Sequence, residues 1–178
     1  MIVKIVCAGN KEFLDLYKPD EKELLVGVDG GIYEILKVKN EVDLAVGDFD
    51  SCAIEDVVMN CKKIRVFPKE KDYGDLELAI QEVKELDVER IEIYNVTGGR
   101  LDHYQAALNI LAKYSYLNIW IINHDNRIRV LETDSYRLYK DDNYKYVSFF
   151  AIDDGVKITL KGFKYELNNY ALNRYDNL

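Results

Sequence analysis

A 178-residue chain with 24 Lys and Arg against 32 Asp and Glu, a formal charge of −8, has no basic stripe to neutralise nucleic-acid phosphates. Its 48% apolar and 31% charged residues describe a globular protein rather than a disordered one, and no apolar run approaches the roughly 20 residues that span a bilayer. Phosphorylated small molecules stay open as ligands, because divalent cations bridge carboxylates to phosphates.

The first residues, Met1 to Val6, read as a strand with no signal-peptide pattern, so a cytoplasmic location is expected. Further apolar runs follow at Leu24–Val28, Leu44–Val46, Ile64–Phe67, Ile91–Val96 and Asn118–Ile122. Between them, Asp75–Leu86 places Leu76, Ala79, Ile80 and Val83 on one helical face. Tyr104, Ala107, Leu108 and Leu111 do the same after Asp102. Strands alternating with helices predict an α/β fold, a mainly parallel sheet with flanking helices over residues 1–124. From 125 to 178 the helical period is lost. Arg127–Leu131, Tyr136–Lys140, Tyr146–Ile152 and Val156–Leu160 read as strands, with Asp153-Asp154-Gly155 as a hairpin turn. A small antiparallel β-sandwich domain, closely docked on the first, is expected there. Cys7, Cys52 and Cys61 form no CxxC pair, which points to buried reduced thiols rather than zinc or disulfides.

The polar residues cluster after the strands. Asp29-Gly30-Gly31, Gly47-Asp48-Phe49-Asp50-Ser51, Lys71-Asp72-Tyr73-Gly74-Asp75 and Thr97-Gly98-Gly99-Arg100-Leu101-Asp102-His103 each follow one apolar run. In a parallel sheet these loops share one edge, where ligands of open α/β sheets bind. Each motif has a plainer reading. Asp29 with its glycines makes a strand-to-helix turn, or bare backbone that a nucleotide can approach. Asp48 and Asp50 form an Asx turn and cap, or a carboxylate pair for Mg²⁺. Asp75 and Asp102 suit helix N-caps; Lys71 is a phosphate partner or a solvated charge. Gly98-Gly99 before a helix makes an anion site, to which Arg100 adds a planar donor fork. His103 at that helix start is either structural or functional, and His124 is too remote in sequence to pair with it.

These four motifs, in this order and with Asn109 beyond them, resemble the thiamin pyrophosphokinase family across most of residues 24–111. The resemblance implies a homodimeric enzyme in which an α/β domain binds ATP and a β-sandwich helps to bind thiamin. Mg²⁺ would be held by Asp48, Asp50 and Asp75, with Asp29, Gly30, Gly31, Lys71, Asp72, Gly98, Gly99 and His103 around the nucleotide. Arg100 would stabilise the transferred diphosphate and Asp102 would orient the cationic thiamin. Two departures stand out. Gly74 occupies a position where the family usually has Thr. The family also normally continues beyond the equivalent of Leu178 with a Gly-x-Ser-Asn-type segment, so a C-terminally shortened β domain is expected. Rival readings are diphosphate transfer to another small alcohol such as a hydroxymethyl pterin, an Asp-x-Asp phosphohydrolase, and a non-catalytic nucleotide-binding module.

Overall fold

The computed structural model describes residues 1–50, 52–68, 70 and 72–176. Lys71 and Ser51, two of the motif positions, lie outside the described residues. The first compact unit, Met1–Arg137, is built on a seven-stranded sheet. In chain order its elements are β1 (Ile2–Val6), α1 (Phe13–Leu16), β2 (Glu23–Val28), α2 (Gly31–Ile35), β3 (Val42–Gly47), α3 (Ile54–Asn60) and β4 (Cys61–Val66). Then come α4 (Asp75–Val83), β5 (Arg90–Tyr94), α5 (Leu101–Lys113), β6 (Ile119–Ile122) and β7 (Arg127–Arg129).

The strand order is β4-β3-β2-β1-β5-β6-β7, with all pairs parallel except β6 and β7. The apolar runs become strands because both sheet faces are covered, so both side-chain sets must be apolar. Val3, Ile5, Val26, Ile91 and Ile93 face α4 and α5 through Leu78, Ala79, Ile80, Ala107 and Leu111. Val6, Leu25 and Ala45 pack with Phe13 of α1, Ile32 and Ile35 of α2 and Val57 of α3 on the other face.

That order decides where a ligand can lie. The chain runs outward from β1 through β2 and β3 to β4, crosses back through α4 to β5, and continues outward on the opposite side. The topological switch therefore falls between β1 and β5, and the crevice outside their carboxyl ends is the expected binding place. Two depressions in the surface, of about 190 and 300 Å³, lie instead by the amino ends of β5 and β1.

Arg127–Arg129, expected in the β domain, instead joins the first sheet antiparallel to β6. A tight turn brings it there: Asn123 N–H donates to the Asn126 carbonyl at 2.9 Å. The second unit, Leu138–Leu178, contains a two-stranded antiparallel sheet of β8 (Val156–Leu160) and β9 (Leu167–Leu172). The fold class is thus the expected one, an α/β unit followed by a small antiparallel β unit. Tyr136–Lys140 and Tyr146–Ile152 are not regular strands. A strand needs a ladder partner as well as an apolar pattern, and β8 pairs with β9 rather than with the run before the Asp153-Asp154-Gly155 turn.

Candidate active site at the strand ends

The β2 and β3 loops interlock. Asp29 has φ 46° and its N–H donates to the Val46 carbonyl at 3.0 Å, so its side chain crosses to β3. There Asp29 Oδ1 accepts the Phe49 N–H at 3.4 Å. Gly47 permits this approach: a β-carbon on it would lie 1.9 Å from Asp29 Oδ1. Gly30 is the N-cap of α2, and Gly31 its first residue. The Asp29 carboxylate thus serves the neighbouring loop rather than the start of α2.

In the β3 loop the Asp50 N–H donates to Asp48 Oδ1 at 3.1 Å, the Asx arrangement that was one of the two readings. Phe49 is buried between them with φ 55°, and Asp50 is exposed. Among the described residues no three His, Cys, Asp or Glu side chains gather closely enough to hold a metal ion. Asp48, Asp50 and Asp75 are therefore not assembled into a ready-made three-carboxylate cage.

The cap expectations need correction. Gly74, with φ −70° and ψ 158°, is the N-cap of α4, and Asp75 is already the first helical residue. Arg100 is the N-cap of α5 and Asp102 lies within its first turn; neither helix has a side-chain cap bond at its N-cap. Asp102 is engaged elsewhere. Arg100 Nε and Nη2 donate to its two oxygens at 3.1 and 2.5 Å, a bidentate fork. That guanidinium, helped by His103, holds the Asp102 carboxyl below its ordinary value, and Asp102 raises Arg100 in turn. Both side chains are about two-thirds exposed, so the pair is easily exchanged for other partners. Gly98 and Gly99 precede it with φ 79° and 77°, and with His103 they are open to solvent. Asp72 and Tyr73 are exposed too. Glu77, in the first turn of α4, ties α4 to α5 by accepting from Lys113 Nζ at 2.6 Å and Tyr114 OH at 2.9 Å.

Two of these loops act electrostatically on the residue after β1. Cys7 directly follows β1, the central strand, and burial, then the carboxylates of Asp29 and Asp75, push its thiol up to about 12. Two acidic motifs from different loops thus press on the β1 end. Cys7, Cys52 and Cys61 form no disulfide among the described residues.

The sequence reading passed over the loop after β1. Asn10, Glu12, Asn95 and Asn123 hydrogen-bond the β1, β5 and β6 ends into one network. The cue was present, since Gly9-Asn10 follows a strand as the other motifs do, but only the strand order places it at the switch.

Residues 17–122 match the family model described as "Thiamin pyrophosphokinase, catalytic domain", and 135–177 the one described as "Thiamin pyrophosphokinase, vitamin B1 binding domain". A thiamine pyrophosphokinase of Bacillus subtilis (strain 168) is 35% identical over 175 residues, 94% of this chain and 82% of the relative. The chain belongs to the thiamin pyrophosphokinase family. Crystal structures of thiamin pyrophosphokinases agree with the fold. The Bacillus subtilis one has a TM-score of 0.88 at 31% identity, covering 100% of this chain and 87% of that one. The Geobacillus thermodenitrificans one scores 0.84 at 34%, covering 98% and 84%. The thiamin pyrophosphokinase catalytic match includes the Asp29, Asp48, Asp75 and Gly98 loops and begins after the β1 loop.

Proposed function

We propose that this chain is a thiamine diphosphokinase, which transfers diphosphate from ATP to the hydroxyl of thiamin and releases AMP. The observation that carries the reading is the joint presence of catalytic and vitamin B1 binding regions, in order, on one chain. Met1–Arg137 supplies the nucleotide half and Leu138–Leu178 the thiamin half. A cytoplasmic homodimer is proposed, with thiamin between one subunit's α/β domain and the other's β domain; no helix among the described residues is long and apolar enough to cross a membrane.

ATP lies along the strand-end crevice, its phosphates against the backbone N–H groups of Gly98, Gly99 and the amino end of α5. Asp29-Gly30-Gly31, Asp72 and His103 line the nucleotide side. The donors fit Mg²⁺ as that ion is usually held, by one or two carboxylates with phosphate oxygens and water completing the octahedron. Asp48 and Asp50 would be those carboxylates, with Asp75 as the third carboxylate of the set. The ion supplies charge neutralisation for the phosphates when bound.

The protein's work is positioning and electrostatics, because phosphoryl chemistry of this kind needs little covalent help. The thiamin hydroxyl attacks the β-phosphorus in line and AMP leaves. Arg100 and Asp102 exchange partners as the substrates arrive. The guanidinium fork turns to the diphosphate, where it offsets developing charge, and the released Asp102 carboxylate faces the thiazolium cation. An exposed pair gives up little stability in that exchange.

The test is acceptor choice. Thiamin and a hydroxymethyl pterin are offered separately with Mg·ATP, and the diphosphorylated product is identified by chromatography. Product from thiamin alone supports the proposal; product from the pterin alone overturns it.

A further inference from the structure

The loop after β1 precedes the family's catalytic match and is held from across the crevice by one residue, Asn95, just past the end of β5. Asn95 has φ 61° and makes three bonds to the β1 side. Its carbonyl accepts the Gly9 N–H at 3.0 Å. Its Oδ1 accepts the Glu12 and Phe13 N–H groups at 3.1 and 3.0 Å. Those donors belong to the start of α1, a four-residue helix whose N-cap, Glu12, makes no side-chain cap bond. Asn95 thus caps α1 from another strand.

The pinned loop carries Asn10 to the glycine turn. A β-carbon on Gly98 would lie 2.1 Å from Asn10 Oδ1, so the amide rests directly on that glycine. Asn10 Nδ2 donates to Glu12 Oε1 at 2.6 Å, and Glu12 Oε2 accepts the His124 N–H at 2.9 Å. Asn95 itself is 3% exposed, and its Nδ2 is buried without a hydrogen-bond partner. Flipping the amide would set its NH₂ against two N–H donors, so the accepted bonds fix the orientation and leave the donor over. A residue that strands a buried donor at positive φ is poorly chosen for stability alone.

We propose that Asn95 is a positioning residue for the nucleotide. By holding the Gly9, Glu12 and Phe13 amides it keeps Asn10 against Gly98, so that the β1 loop buttresses the Gly98-Gly99 turn as one continuous wall of the phosphate cradle. The proposal rests on the ATP reading above, and the experiment separates the two. ATP Kd is measured by calorimetry, and KM and kcat by product formation, for wild type, Asn95→Gly, Asn10→Ala and the double variant. Glycine keeps the positive φ and the carbonyl that accepts the Gly9 N–H, and removes only the two side-chain bonds to Glu12 and Phe13.

Asn95→Gly is expected to raise ATP Kd and KM about tenfold while thiamin KM and kcat stay within about twofold. Asn10→Ala is expected to raise ATP Kd about fivefold and to add nothing further in the Asn95→Gly background. Multiplication of the two effects, or an unchanged ATP Kd in Asn95→Gly, overturns the proposal. A lower melting temperature with unchanged ATP Kd assigns Asn95 to stability alone and overturns it equally. Should Asn95→Gly not fold, Asn10→Ala decides: raised ATP Kd with unchanged thiamin KM supports the proposal, and unchanged ATP Kd overturns it. Wild type that binds ATP without forming thiamin diphosphate fails the reaction reading, while the Kd ratios still decide this one.

Discussion

Replacing Gly47 by Ala should destabilise this protein and its β3 loop. The new β-carbon would stand 1.9 Å from Asp29 Oδ1 and 2.8 Å from its Cγ. Neither backbone can easily retreat: the Asp29 N–H is bonded to Val46, and the Gly47 carbonyl accepts the Phe67 N–H at 3.0 Å. The Asp29 side chain must therefore swing away and release the Phe49 N–H. Overpacking of this kind costs about 1–3 kcal/mol. A side chain at φ 154° adds about 1–2 kcal/mol of backbone strain. A total of about 3 kcal/mol lowers the melting temperature of a chain this size by about 6–12 °C. Gly74→Ala is the control, because a β-carbon there meets nothing within 4 Å and φ is −70°. It should change stability by less than about 1 kcal/mol, because the unfolded-chain entropy that Ala removes is offset by its poorer fit at the N-cap of α4. Differential scanning calorimetry of both variants, with AMP release alongside, reads the contrast. Gly47→Ala should also lose activity, since the Asp48-Phe49-Asp50 loop loses its anchor. Equal melting temperatures for the two variants would refute the packing argument.

Arg100→Lys should lower kcat/KM by about 100-fold, because an ammonium cannot reproduce the two-pronged fork; a rate within threefold of wild type would make Arg100 a mere point charge. Asp48→Asn should abolish Mg²⁺-dependent turnover while the melting temperature holds, and unchanged activity over a Mg²⁺ titration would remove Asp48 from the metal site. The Cys7 thiol gives a pH prediction. Its folded value of about 12 lies above the ordinary 9.0, so between them the native state binds the proton more tightly and stability falls as pH rises. By pH 10 that loss is about 1.4 kcal/mol, and Cys7→Ala should flatten denaturant-measured stability between pH 8.5 and 10; a parallel decline in both proteins would contradict the burial. The same thiol should resist iodoacetamide at pH 8 until the protein is unfolded.

The parallel half was legible because its strands are buried on both faces, so Leu24–Val28 or Ile91–Val96 appear as unbroken apolar runs. The loops after those runs could be named from the same pattern. What failed was local backbone detail and long-range geometry. Asp75 and Asp102 look like caps by residue type, yet the extended cap conformation belongs to Gly74 and Arg100, and nothing in composition reveals it. Asn95 was invisible as a cap because its partners, Glu12 and Phe13, are more than 80 positions away. In the second unit the apolar pattern of Tyr146–Ile152 suggested a strand, but Tyr146 and Phe150 are largely exposed and no ladder forms there. Pattern shows what a segment can bury, not whether a partner strand is available.

The most direct test is diphosphate transfer from ATP carrying label in its γ-phosphate, with and without thiamin, in the presence of Mg²⁺. The account predicts label in thiamin diphosphate, one AMP per product, and no ADP. Label in free phosphate with ADP formed, independent of thiamin, would contradict it.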